Sequence, residues 1–246
     1  MTSHIGWLRE KGMIVNASKT EMVFFKEKED LLINIEGKEV RSRSEMNVLG
    51  ITFDSELSWL PQVRRAMSNC QRMKPALRCL KKRLNAKELL QVITSHFYPR
   101  LYYGSEVWFH CVNKCTREKI TPLHLYPLRL AVGDCKKLLS NKKVLNITNR
   151  ASPLQFNDYK VAKTLISIIN STCPFVIFHE LLAHAVIERR RQNKPWFLDM
   201  SRTRIGRQSF ENRVNTISKT LSFDWHEIDR TKDATRKLLK DVFFSA

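Results

Sequence analysis

Two stretches of the chain carry the residue types that metal chemistry uses. His179-Glu180-Leu181-Leu182-Ala183-His184 sets two histidines around a glutamate, the content of a zinc-protease helix. That chemistry needs histidines four apart, so that both imidazoles reach one metal. Here they are five apart, which swings the second about 140° around a helix of 3.6 residues per turn, and zinc-protease chemistry is set aside. His110, Cys111 and Cys115, with Cys135 further on, form a looser group without the compact Cys-x-x-Cys pair of a zinc knuckle. Ordinary buried thiols are the expectation there, and no metal site is assigned.

Phosphate chemistry has the stronger signal. Arg64, Arg65, Arg72, Lys74, Arg78, Lys81, Lys82 and Arg83 fall between Pro61 and Arg83 with no acidic residue among them. A merely solvated helix face mixes both signs in i,i+4 pairs, whereas an unmixed one suits a row of phosphates. Gly50 interrupts the apolar run Val48–Phe53, where glycine marks a bulge or a close backbone approach. Trp108, Trp196 and Trp225 could stack on bases, although a tryptophan on a helix or turn is more often core.

The whole chain agrees with an anionic partner. Its 246 residues carry 43 Lys and Arg against 24 Asp and Glu, a formal charge of +19, which favours nucleic acid through phosphate neutralisation. A hydrophobic content of 43% excludes wholesale disorder and allows one sizeable core or two modest ones. No stretch reaches the roughly 20 apolar residues of a membrane span, and Met1–Lys11 lacks a signal-peptide core. The expected setting is therefore intracellular, cytoplasm or nucleus, with no membrane partner. Six cysteines, Cys173 the last, show no framework spacing and read as reduced thiols. The sequons at Asn16, Asn146 and Asn170 read as chance.

The elements that must position these residues divide near Ser58. Before it, a short amphipathic helix from Trp7 leads through a turn at Val15–Ser18 to short strands at Met22–Phe25, Leu31–Ile35 and Val48–Phe53, with a hairpin turn at Glu36-Gly37-Lys38. After it, Ser58 is the expected N-cap of a helix whose apolar stripe is Leu60, Val63, Met67, Cys70, Met73, Leu77, Leu80 and Leu84. Pro75 should kink or split that helix. Further helices are expected at Ala86–Tyr103, Arg117–Val132, Tyr159–Asn170, Phe175–Arg191, Arg207–Leu221 and Thr231–Phe244, with a linker at Asn193–Trp196.

Gly6-Trp7-Leu8, Gly12 to Asn16, Lys19-Thr20-Glu21-Met22 and Phe25 stand in an order that resembles the fourth palm motif of LINE-type (non-LTR retrotransposon) reverse transcriptases. Leu49-Gly50-Ile51-Thr52-Phe53-Asp54 followed by Leu57-Ser58-Trp59 resembles the primer-grip hairpin of the same family. Leu101-Tyr102-Tyr103-Gly104, with Trp108, resembles the close of its thumb, and Arg202–Phe210 a tail block. Jockey-like elements are the nearest comparison. The resemblance implies RNA-directed DNA synthesis, in which two Mg²⁺ ions on palm aspartates drive the reaction in the complete parent enzyme. The chain has no Asp-Asp pair, so it is expected to start past the catalytic hairpin, to hold no cofactor and to be inactive alone.

Together these readings predict an α+β fold: a small antiparallel palm-end sheet with one helix, then an all-helical thumb and C-terminal region. The expected divisions are 1–58, 59–135 and 136–246. No catalytic residue is expected in the chain, though Lys19 would be a general acid in the parent enzyme. Nucleic-acid contacts are expected from Leu49, Gly50 and Ile51 at the primer grip, and from Arg64, Arg65, Arg72, Lys74, Arg78, Lys81, Lys82 and Arg83. The partners would be RNA, DNA or RNA–DNA hybrid, with self-association through an exposed sheet edge. The alternative is a host-recruited helical protein-interaction module without enzymatic activity.

Overall fold

The computed structural model describes residues 2–25, 31–35, 37–169, 213–214 and 216–217. The fold is α+β, with helices and two small antiparallel hairpins. The chain forms two compact units, Met1–Arg64 and Arg65–Ala246, and the division falls inside one long helix. Residues on either side of position 135 lie in the same unit.

In the first unit, helix α1 (Thr2–Glu10) ends at Gly12, whose φ of 72° lets Met13 N–H turn back to the Leu8 carbonyl at 2.9 Å. Asn16 then caps a single tight turn, Ala17–Lys19: its Oδ1 accepts from Ser18 N–H at 3.1 Å, and its carbonyl accepts from the Thr20 hydroxyl at 3.0 Å. Strands β1 (Leu32–Ile35) and β2 (Lys38–Arg41) pair with Ile33 opposite Val40. Strands β3 (Glu45–Val48) and β4 (Ile51–Asp54) pair with Val48 opposite Ile51. These are two separate hairpins and not one sheet.

Two strand expectations fail. Met22–Phe25 forms no strand; Arg43 N–H, in the link between β2 and β3, donates to the Met22 carbonyl at 2.8 Å. Val48–Phe53 is broken at Leu49-Gly50, which take φ of 50° and 82°. With both residues left-handed, this two-residue loop has the backbone of a type I′ turn, so Gly50 belongs to a hairpin tip and not to a bulge.

The described residues of the second unit are mainly helical. Helix α2 (Leu60–Lys81) runs unsplit through Pro75. Helix α3 (Ala86–Val92) starts from a capping box in which Asn85 and Glu88 exchange side-chain bonds to each other's amides at 2.9 Å. It passes through a widened turn at Ile93–Phe97 into α4 (Tyr98–Leu101). Pro99 accounts for the widening, because it has no N–H to give and its ring needs room at the carbonyl four residues earlier. The helix expected over Ala86–Tyr103 is thus present as one helical run from Ala86 to Leu101, with a widened turn inside it. Helices α5 (Ser105–Trp108) and α7 (Asn141–Thr148), both unforeseen, flank α6 (Lys114–Val132), and α8 (Pro153–Ile169) follows. Arg213, Val214, Thr216 and Ile217 are helical. The helices expected at Phe175–Arg191 and Thr231–Phe244, the rest of Arg207–Leu221, the linker, the His179–His184 stretch, Trp196 and Trp225 lie outside the described residues.

The core of this unit gathers Cys70, Leu77, Leu89, Ile93, Phe97, Leu101, Trp108, Phe109, Ile120, Leu128, Val144, Val161 and Leu165. Trp108 is core, with Nε1–H donating to the Tyr103 carbonyl at 2.9 Å. At its centre the His124 imidazole stacks on Tyr98, centroids 4.7 Å apart and planes 7° from parallel. Nε2 lies 3.0 Å from the Ala151 carbonyl, which can only accept, so the proton is on Nε2 and Nδ1 accepts from the Tyr102 hydroxyl at 2.8 Å.

Candidate nucleic-acid interface

Both family-like motifs fold into local clasps within the first unit. Glu21, from the Lys19-Thr20-Glu21 run, takes the Arg43 guanidinium at 2.8 Å on one oxygen and Asn47 N–H of β3 at 3.1 Å on the other. The Asn16–Glu21 turn is thereby tied to the β3–β4 hairpin. Lys19 is exposed on this turn. At the hairpin's far end the buried Asp54 carboxylate accepts from the amides of Ser58 at 2.9 Å and Trp59 at 2.8 Å. Leu57 and Trp59 are left-handed, with φ of 50° and 63°. The Trp59 ring packs on Phe53, centroids 5.0 Å apart. Ser58 is not the N-cap of α2; it sits one residue earlier, and the helix begins after Trp59. Gln62 Oε1 accepts from Thr52 N–H at 2.9 Å, fixing the first turn of α2 to β4.

That geometry accounts for the pattern of the second motif. Leu49-Gly50 makes the hairpin tip, Phe53 and Trp59 pack together, and Asp54 holds the amides that lead into the helix. Leu49 itself is 87% exposed in a conformation that costs a branched residue roughly 1–2 kcal/mol. An exposed apolar side chain on a strained, rigidly supported tip suits contact with another molecule.

The α2 cations divide into two sets. Arg64, Arg65, Arg72, Lys82 and Arg83 are exposed. Half-buried Lys74 and Lys81 and exposed Arg78 reach residues of α6. Lys74 Nζ lies 4.9 Å from the centroid of the Tyr126 ring, and Arg78 Nε donates to the Tyr126 hydroxyl at 2.9 Å. Lys81 Nζ, half-buried, donates to the Ala131 carbonyl at 3.1 Å, where the α6 C-terminus favours a cation. Helical phase explains the split. At 3.6 residues per turn, Lys81, Lys74 and Arg78 stand about 20°, 40° and 80° from buried Cys70, whereas Arg64, Arg65 and Arg72 stand more than about 100° away; Lys82 and Arg83 lie in the turn past the helix end.

Between α2 and α6 lies a groove of about 600 Å³ with Lys74, Arg78, Lys119, Tyr126, Arg129 and Lys137 in its walls. Among the described residues in its walls the one carboxylate, Asp134, is committed: it binds the Arg129 guanidinium and accepts from the amides of Leu138 at 2.8 Å and Leu139 at 3.3 Å. Arg129 also reaches the Leu139 carbonyl at 2.9 Å and Asn141 Oδ1 at 2.7 Å. Lys74, Arg78, Lys119 and Lys137 pair with no carboxylate among the described residues. Sequence reasoning missed Lys119, Tyr126 and Lys137, whose places depend on helix packing.

The remaining ionisable clusters hold the fold together. Lys160 pairs with Glu106 at 2.9 Å and donates to Ser105 Oγ at 3.1 Å; burial holds its ammonium below the ordinary lysine value, with Glu106 opposing. Asp158 takes Arg213 Nε at 2.9 Å, and these bonds outweigh burial to hold its carboxyl below the usual range. His110 Nε2 stands 3.1 Å from Asp158, too oblique for a good hydrogen bond, and burial lowers its basicity. Cys70 is buried, its thiol pushed up to about 12 by burial. Cys111 is half-buried, while Cys115 and Cys135 are exposed, so the expectation of buried thiols fails for those two.

Comparison with protein-family models, with curated proteins and with solved structures yields no match to this chain.

Proposed function

We propose that the chain is the C-terminal part of a LINE-type reverse transcriptase, comprising the end of the palm and the thumb, and that by itself it binds nucleic acid without polymerising it. The observation that carries the reading is the exposed row on α2 and the turn that follows it: Arg64, Arg65 and Arg72 on the helix, and Lys82 and Arg83 just past its end, face solvent on a stretch with no acidic residue. Such a row suits the phosphates of an RNA–DNA hybrid or duplex with little base preference. The Glu21 and Asp54 clasps support it further, since they give the two family-like motifs a common rigid support. Polymerisation would need the aspartates and Mg²⁺ of the parent enzyme.

Salt dependence of hybrid binding tests this reading. Changing Arg72, Lys82 and Arg83 together to Gln should lower the slope of log affinity against log salt by about two to three, at roughly 0.9 per lost phosphate contact. Changing Lys142, Lys143 and Lys163, exposed cations of α7 and α8, should leave it nearly unchanged. Equal losses would show bulk charge alone, and no measurable hybrid binding would favour a protein-interaction module.

A further inference from the structure

We propose that the groove between α2 and α6 is a separate binding site for the sugar-phosphate backbone of single-stranded RNA or DNA. Its volume of about 600 Å³ lies within the range of formed ligand sites. Its electrostatics are one-sided. Asp134 is spent on Arg129 and on two backbone amides, which leaves Lys74, Arg78, Lys119 and Lys137 as uncompensated charge around one concavity. Tyr126 fixes two of these cations in place, Arg78 through its hydroxyl and Lys74 over its ring face. Ordering that a ligand would otherwise have to impose on long side chains is therefore already in place.

Shape selects the strand form. A duplex is convex and stiff and carries its phosphates outside, so it meets the rims of a cleft. A single strand bends into it and can lay an unstacked base on the wall made by Met67 and Pro122, beside the cations. Half-buried Lys74 lies inside this cleft, with exposed Lys119 and Lys137 also in its walls. The site does not rest on the exposed α2 row, and the two can fail independently.

The test measures anisotropy of labelled oligouridylate, oligothymidylate and a blunt duplex against the full chain over a salt series. Changing Lys74, Lys119 and Lys137 together to Gln should lower the single-strand salt slope by about two, at roughly 0.7 per contact, and leave the duplex slope unchanged. Equal loss for both strand forms, or no loss, overturns the proposal. A second readout needs no variant, because Cys135 is an exposed thiol lining the groove while exposed Cys79 and Cys115 lie outside it. Saturating oligouridylate should slow alkylation of Cys135 several-fold and spare the other two. Uniform or absent protection, or equal protection of Cys135 by polyglutamate, also overturns it.

Discussion

Acidifying the protein should destabilise its helical unit through His124. The imidazole is fully buried, gives its Nε2 proton to the Ala151 carbonyl, and uses Nδ1 as an acceptor for Tyr102. Burial pushes its pKa from 6.5 down to about 4. The folded value lies below the unfolded one, so between them the unfolded chain holds the proton and the native state does not. Stability is complete above pH 6.5 and falls as the pH drops toward about 4, where the loss levels off. At 1.36 kcal/mol per pH unit the full loss is about 3 kcal/mol, of which about 2 kcal/mol is gone by pH ~5. Buried His110 acts with the same sign, whereas Asp158, held below its ordinary carboxyl value, acts only in stronger acid. Urea unfolding followed by far-ultraviolet circular dichroism at pH ~7 and pH ~5 measures the loss. His124→Gln, which cannot titrate, should be destabilised at neutral pH and should show a much flatter profile. Parallel profiles for the two proteins would refute the assignment of a neutral, doubly hydrogen-bonded imidazole.

Two substitutions test the clasps of the first unit. Leu49→Asn replaces a strained residue by one that accepts a left-handed backbone, and should raise hairpin stability by about 1 kcal/mol while weakening any contact made by the leucine; amide exchange across β3 and β4 reads the gain, and faster exchange would contradict the turn geometry. Asp54→Ala strands the Ser58 and Trp59 amides and should cost about 2 kcal/mol, visible as lost protection in the first turn of α2; unchanged protection there would mean the carboxylate is dispensable.

Periodicity made most of the helical unit legible. The α2 stripe holds in large part, since Val63, Cys70 and Leu77 are buried and Met67, Met73, Leu80 and Leu84 half-buried, although Leu60 is exposed. The same phase, applied to the cations, would have set Lys74, Arg78 and Lys81 on the side of Cys70, with Arg65 and Arg72 opposite. The hairpin tip was not legible because leucine in a type I′ turn contradicts its own propensity. Helix α7 escaped notice because eight residues give barely two turns of pattern; its Ser140 cap, 3.2 Å from Lys143 N–H, and its left-handed Asn149 are the local marks of its ends. The groove lay beyond reach because it depends on which face of α6 meets α2, and no single-helix pattern records that.

The first unit encloses little apolar material: among its described residues only Ile35, Val40, Trp59 and Val63 form buried apolar contacts, beside the polar Asp54 and Gln62. Its cohesion rests largely on hydrogen bonds, several of them to carboxylates. Heat-capacity change on unfolding tracks apolar hydration, and polar exposure works against it. Calorimetrically the hairpin unit should therefore be the quiet part of the molecule, with a small heat-capacity step on melting, while the larger step should come from the helices packed around Trp108 and His124.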